Sequence, residues 1–93
     1  MTSTIGALAA IAAGELVGTA DAIGALSLDA SLGTLTAFDP RIHAGKPHPG
    51  QQRTADHVRA LVDGSPMNAS HAECGQVQDA YAYRCMPQVH GAV

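Results

Sequence analysis

The strongest constraint on the fold is a run of small and apolar residues at the amino end, where Ile5, Leu8, Ala12, Leu16, Ile23 and Leu26 recur at steps of three, four or seven. That is the period of one helical face, and it predicts a long helix. Gly6, Gly14, Gly18 and Gly24 fall inside the run, and each costs roughly 1 kcal/mol relative to Ala in a helix interior. Such a helix needs tertiary packing to persist. It reads either as one wall of a tightly packed bundle in a larger protein or as the core helix of a small autonomous domain, and the glycine density favours the first. The stretch Ile5 to Ala13 is too short to span a bilayer and is interrupted at Glu15, while Thr2, Ser3 and Thr4 lack the positive charge of a secretory leader. The segment is therefore expected to be a buried helix.

Gly33 is a plausible helix stop, and residues 34–49 mix Asp-Pro and Pro-x-Pro elements that predict a long loop. Helix resumes at Pro49, which has no amide hydrogen to lose in a first turn, and continues through Val58, Leu61 and Val62 to the break at Gly64-Ser65-Pro66. On its outer face Arg53, Asp56, Arg59 and Asp63 alternate in sign, as a solvated surface does. Ser70-His71-Ala72-Glu73 has the form of a capping box and predicts a further short helix, broken at Pro87. No internal repeat or domain boundary is visible. The fold class expected is all-α: residues 1–93 form a single partial domain, a fragment of a long-helix bundle, with an extended loop between the long N-terminal helix and shorter C-terminal helices.

Composition narrows the function. Phe38, Tyr81 and Tyr83 are the only aromatic residues among 93, so the chain's own core is expected to be thin. A formal net charge of -3 with five Lys and Arg leaves no basic stripe, which argues against nucleic acid or an anionic membrane as partner. Cys74 and Cys85 stand too far apart for a CxxC pair and read as reduced thiols of a cytoplasmic protein. Of the histidines His43, His48, His57, His71 and His90, only His43 and His48 are close, without a paired carboxylate, so no metal site is expected.

Chemistry concentrates near the carboxyl end. Gln78, Tyr81 and Arg84 place an amide, a phenol and a guanidinium three residues apart, and a turn of helix would put all three on one side. A guanidinium forks onto a carboxylate, and a phenol beside it can orient or exchange a proton, so the trio could hold a small amino acid. The plainer alternative is a short packing helix with Val77, Ala80 and Tyr81 as its apolar face and Gln78 and Arg84 at its margin. Spacing alone favours that alternative.

The run from Val77 to Ala92 resembles the signature of bacterial histidine ammonia-lyases, Val-Gln-Asp-Pro-Tyr-Ser-Leu-Arg-Cys-x-Pro-Gln-Val-x-Gly-Ala. Upstream, Gly24-Ala-Leu-Ser-Leu-Asp-Ala30, Phe38-Asp-Pro-Arg-Ile-His43, Pro47-His-Pro-Gly-Gln51 and Ser70-His-x-x-Cys74 fall in the family's order, so nearly the whole chain is covered. The resemblance implies elimination of ammonia from an α-amino acid, with L-histidine giving urocanate. Val77, Cys85 and the Pro-Gln-Val block incline towards histidine over phenylalanine or tyrosine.

By the same resemblance Arg84 binds the substrate carboxylate, Tyr81 is the active-site tyrosine beside the electrophile, and Gln78 lines the pocket. His48 sits at the family's helix entry. Ala80 stands where the family often has Pro, and Tyr83 replaces a usual Leu, which places a second phenol near the pocket. The family's electrophile is a methylidene-imidazolone cyclised from Ala-Ser-Gly, a tripeptide this sequence lacks. Members are several times longer and share active sites between subunits of a homotetramer, so the chain is expected to be an internal slice, inactive alone. An interaction partner of full-length lyase subunits, and a helical module keeping only the carboxylate site, stay open beside that reading.

Overall fold

Three of the helix starts in this chain follow one local rule. Asp39-Pro40, His48-Pro49 and Ser65-Pro66 each pair a capping side chain with a proline in the first turn, and each begins a helix. The Asp39 carboxylate accepts from the Arg41 amide at 2.8 Å, the His48 ring Nδ1 from the Gln51 amide at 3.3 Å, and the Ser65 hydroxyl from the Asn68 amide at 3.3 Å. The cap satisfies an orphan amide, and proline lacks the amide that would otherwise be orphaned.

The computed structural model describes residues 1–93, all helix and connection with no strand. The helices are α1 (Thr2–Ala30), α2 (Pro40–Gly45), α3 (Pro49–Val62), α4 (Pro66–Ser70), α5 (Tyr81–Arg84) and α6 (Met86–His90), with a 3-10 turn at Thr36–Phe38. The all-α fold with a long first helix and shorter later ones is as expected from sequence.

The last third of α1, together with α3 and α6, encloses a small core. Ala25, Leu28, Phe38, Ala55, Val58, Val62 and Met86 form it, and only 12 of 93 residues are buried, so the core is as thin as the scarcity of aromatics implies. The molecule measures 55 × 27 × 21 Å, because the first two turns and more of α1 project beyond the rest.

At the junction of the three helices lies a buried carboxylate. Asp21 accepts from His57 Nδ1 on α3 at 3.0 Å and from His90 Nδ1 on α6 at 2.7 Å. A carboxylate only accepts, so each imidazole carries its proton on Nδ1. His43 is buried too and fully occupied: its Nε2 donates to the Ala37 carbonyl at 3.1 Å and its Nδ1 accepts from the Gln51 side-chain Nε2 at 2.9 Å.

Several expectations from sequence are corrected. The stripe Ile5, Leu8, Leu16, Ile23 and Leu26 is exposed, and α1 instead buries Asp21, Ala25 and Leu28 on its opposite side. Apart from Leu28, the core-facing side is built of small and polar residues that hydropathy does not mark. By length and mean hydropathy α1 could cross a membrane, but Asp21 on its packed face is engaged by imidazoles of two other helices.

Residues 34–49 are not one long loop: they carry the 3-10 turn and α2, because Asp39-Pro40 starts a helix rather than preventing one. Gly33 does not take the left-handed conformation that ends α1; Leu32 does, at φ 57°. Leu32 and Gly33 donate to the Asp29 and Leu28 carbonyls at 3.0 and 2.8 Å in a Schellman closure, and a Cβ on Gly33 would collide with Leu28. Ser70 ends α4 instead of capping a helix, its hydroxyl donating to the Met67 carbonyl at 2.7 Å. Pro87 sits in the first turn of α6 and opens it rather than breaking the pattern.

Two predictions arise from this packing. A Cβ on Gly91 would intrude on the Gln51 amide and the Pro87 carbonyl, both backbone atoms that cannot swing away. Gly91→Ala should lower the unfolding free energy by about 1–3 kcal/mol in urea titration; an unchanged midpoint would contradict the close α3–α6 approach. At α2, the hydrogen bonds from the Arg41 side chain and backbone hold the Asp39 carboxyl down from its ordinary 3.8 to about 2. A depressed carboxyl favours the folded state fully above pH 3.8, and the contribution is lost as pH falls through about 2. Carbon-detected titration should give Asp39 a midpoint near 2 that Arg41→Gln raises towards 3.8, whereas an ordinary midpoint in the unsubstituted chain would refute the pairing.

Candidate functional site

The segment from His71 to Ala80 contains no regular helix, so what fixes it are side chains. Asp79 Oδ2 accepts from the Thr34 amide at 2.8 Å and from the Thr34 hydroxyl at 3.0 Å. Thr34 follows the closure of α1, and the neighbouring Gly33 carbonyl accepts from Asn68 Nδ2 at 2.9 Å. Ser65 adds a second tie, donating to the Asp29 carboxylate at 2.8 Å. The irregular segment is thereby fastened to the end of α1 just before α5 begins.

This tether alters the predicted geometry of the trio. Helix starts only at Tyr81, so Gln78 lies outside it and the three side chains do not share a helical face. Gln78 and Arg84 nonetheless line one cavity of about 480 Å³, together with Thr34, Asp79 and Gln88. Tyr81 is not part of that lining. It is 72% exposed, and its ring centroid lies 5.8 Å from the Arg84 guanidinium carbon, within reach of a cation–π contact.

Arg84 is half-buried and its side chain makes one hydrogen bond, from Nε to the Asp79 carbonyl at 3.0 Å. No carboxylate pairs with it. Its two Nη groups are free, which is the arrangement a guanidinium needs to fork onto an incoming carboxylate. Gln78 offers an amide that can donate and accept in the same space. The site thus combines one cation, one amide and an adjoining phenol.

Tyr83 departs from its expected place near the pocket. Its hydroxyl meets the Ser31 hydroxyl at 2.8 Å, and its ring packs against the core, so it anchors α5 to the end of α1. Ala80 occupies the turn before α5 without a side-chain cap. Cys74 and Cys85 are both free thiols. No three His, Cys, Asp or Glu side chains gather in a way that could hold a metal ion.

Two groups escaped the sequence reading. The Asp21, His57 and His90 cluster joins residues 36 and 69 positions apart, and no spacing rule reaches that far. A second cavity, of about 590 Å³, opens beside it and is floored by Ala10, Ala13 and Gly14 of α1. Asp79 lies inside the recognised signature, between Gln78 and Tyr81, but its role emerges only once Thr34 is brought beside it.

Residues 1–93 match the family model described as aromatic amino acid lyase, and the chain belongs to that family. It is similar to the histidine ammonia-lyase of Koribacter versatilis, 55% identical over 89 residues, which covers 96% of this chain and 17% of that protein. The histidine ammonia-lyase of Sorangium cellulosum is 52% identical over 90 residues, and that of Gloeobacter violaceus 49% over 90, each covering 97% of this chain and 18% of the relative. The chain therefore spans less than a fifth of the length of the curated relatives it matches.

Proposed function

We propose that this chain is the carboxylate-binding segment of an ammonia-lyase acting on L-histidine, with urocanate as the other product. The observation that carries the reading is Arg84, half-buried in a cavity, tied only through Nε, with both Nη groups unpaired and no acid opposite. An amino acid's carboxylate fits that vacancy in charge and geometry, and a bidentate pair fixes orientation as well as position.

Gln78 lines the same cavity and would hydrogen-bond the bound amino acid. Tyr81, beside the guanidinium and open on its outer side, would meet the substrate amine or hold a proton at its phenol oxygen. The family's methylidene-imidazolone, when present, supplies the electrophile; with no Ala-Ser-Gly in this sequence, these 93 residues do not make it. Their part is to bind and orient, and alone they are expected to release no ammonia.

The apolar stripe of α1 supports the accompanying proposal that this helix packs against other parts of a lyase or its subunits. Ile5, Leu8, Ile11, Leu16, Ile23 and Leu26 are each more than half exposed on a helix that the rest of the chain packs against only along its carboxyl-terminal half. The same stripe suits the rival role, an inert fragment docking on full-length subunits.

A hybrid enzyme tests both readings. When this chain replaces the matching 89 residues of the Koribacter enzyme, the hybrid should assemble and release ammonia from L-histidine. Arg84→Ala in it should lower kcat/KM by roughly 10- to 100-fold, as loss of a charged hydrogen bond does, and Ile23→Asp should block assembly. An assembled hybrid without activity, or one indifferent to Arg84→Ala, would overturn the carboxylate role. Normal assembly with Ile23→Asp would remove the packing role of the stripe.

A further inference from the structure

Arg84 has five N–H donors, and the structure spends one of them internally. The Nε proton goes to the Asp79 carbonyl at 3.0 Å, whereas the Asp79 carboxylate turns the other way, onto both donors of Thr34. An aspartate five residues before an arginine could instead have neutralised it. Here no ion pair joins the two side chains, because the acid is already occupied at the end of α1.

The orientation of a peptide carbonyl is set by its own residue's backbone, and in an irregular segment that backbone is held only by what its side chain grips. Thr34 is itself fixed: it follows the Schellman closure of α1, and the Gly33 carbonyl before it accepts from Asn68. The line of constraint runs from the end of α1 through Thr34 and Asp79 to the plane of the Arg84 guanidinium. A free arginine side chain carries much rotamer entropy, so a guanidinium held in advance loses less on binding.

A guanidinium offers a carboxylate two forks: side-on through Nε and one Nη, or end-on through both Nη groups. With Nε occupied, only the second is open. We propose that Asp79 is a positioning residue for Arg84, fastening the turn to Thr34 through its carboxylate and taking the Nε proton on its carbonyl, so that a substrate carboxylate docks end-on at the two Nη groups. This rests on Arg84 as the carboxylate-binding residue, and it adds which face of the guanidinium binds and what aims it.

The side-chain resonances of Arg84 in the nitrogen-15-labelled full chain test the proposal, with Arg53, which makes no side-chain hydrogen bond, as internal reference. The Arg84 Nε proton should exchange about fivefold more slowly than that of Arg53, the factor a net hydrogen bond commonly gives. Asp79→Ala should erase the difference. Asp79→Asn, which still presents an acceptor to Thr34, should restore most of it, and Thr34→Val, which removes one of the two donors, should reduce it.

Added L-histidine should shift the Nη resonances and leave the slow Nε exchange intact. Full Nε protection in a folded Asp79→Ala variant would overturn the positioning role. If that variant unfolds, full protection in Thr34→Val would overturn it equally. Loss of Nε protection on adding histidine would overturn the end-on mode. No Nη response to histidine, with Nε protection still dependent on Asp79, would instead sink the carboxylate reading and leave the tether standing.

Discussion

The Asp21 carboxylate is the constraint on which the rest of this small structure depends. It is buried where α1, α3 and α6 meet, and a buried carboxylate without partners would cost several kcal/mol. Both of its oxygens are engaged, one by His57 and one by His90. The arrangement dictates which side of α1 faces inward. Because His90 lies at the end of α6, it also fixes the tail that contains α5 and hence Arg84. In a core of so few large side chains, directional hydrogen bonds supply the register that apolar packing alone leaves loose.

From that junction the site is built by short links. α1 ends in a Schellman closure, Thr34 emerges from it, Asp79 grips Thr34, and Tyr83 meets Ser31 at the same end. The Asp79 link ties the irregular segment before α5 to the end of α1, and the Tyr83 link ties α5 itself there. The glycines complete the frame at α3 and α6, where Gly50 and Gly91 let two backbones approach more closely than any side chain would permit. A cation with free donors is then presented in a cavity by a scaffold that hydrogen-bonds its guanidinium only at Nε.

Much of this was legible in the residues. The all-α class and the start of α3 followed from local rules, since His48-Pro49 and the period of Val58 and Val62 act within a few positions. The family was legible from the signature, and the aromatic amino acid lyase match extends over all 93 residues. The inward side of α1 was not, because the strongest apolar period belongs to a face that this chain leaves exposed. Hydropathy marks surfaces that want burial; it does not say which partner buries them. The helical placement of Gln78 failed for a different reason. Asp79 trades helix for two hydrogen bonds to a residue 45 positions away, and sequence reading has no access to that competition. The same applies to Asp39-Pro40, where a pair read as loop-forming is a cap and first turn.

A double-mutant cycle on Asp21 and His90 tests the central claim most directly. Urea unfolding of the unsubstituted chain, Asp21→Ala, His90→Ala and the pair should yield a coupling energy between about 0.5 and 3 kcal/mol, as contacting residues in one buried network do. Effects that add to within about 0.3 kcal/mol would mean that the two side chains act independently, and that the tail carrying Arg84 is held in place by something else.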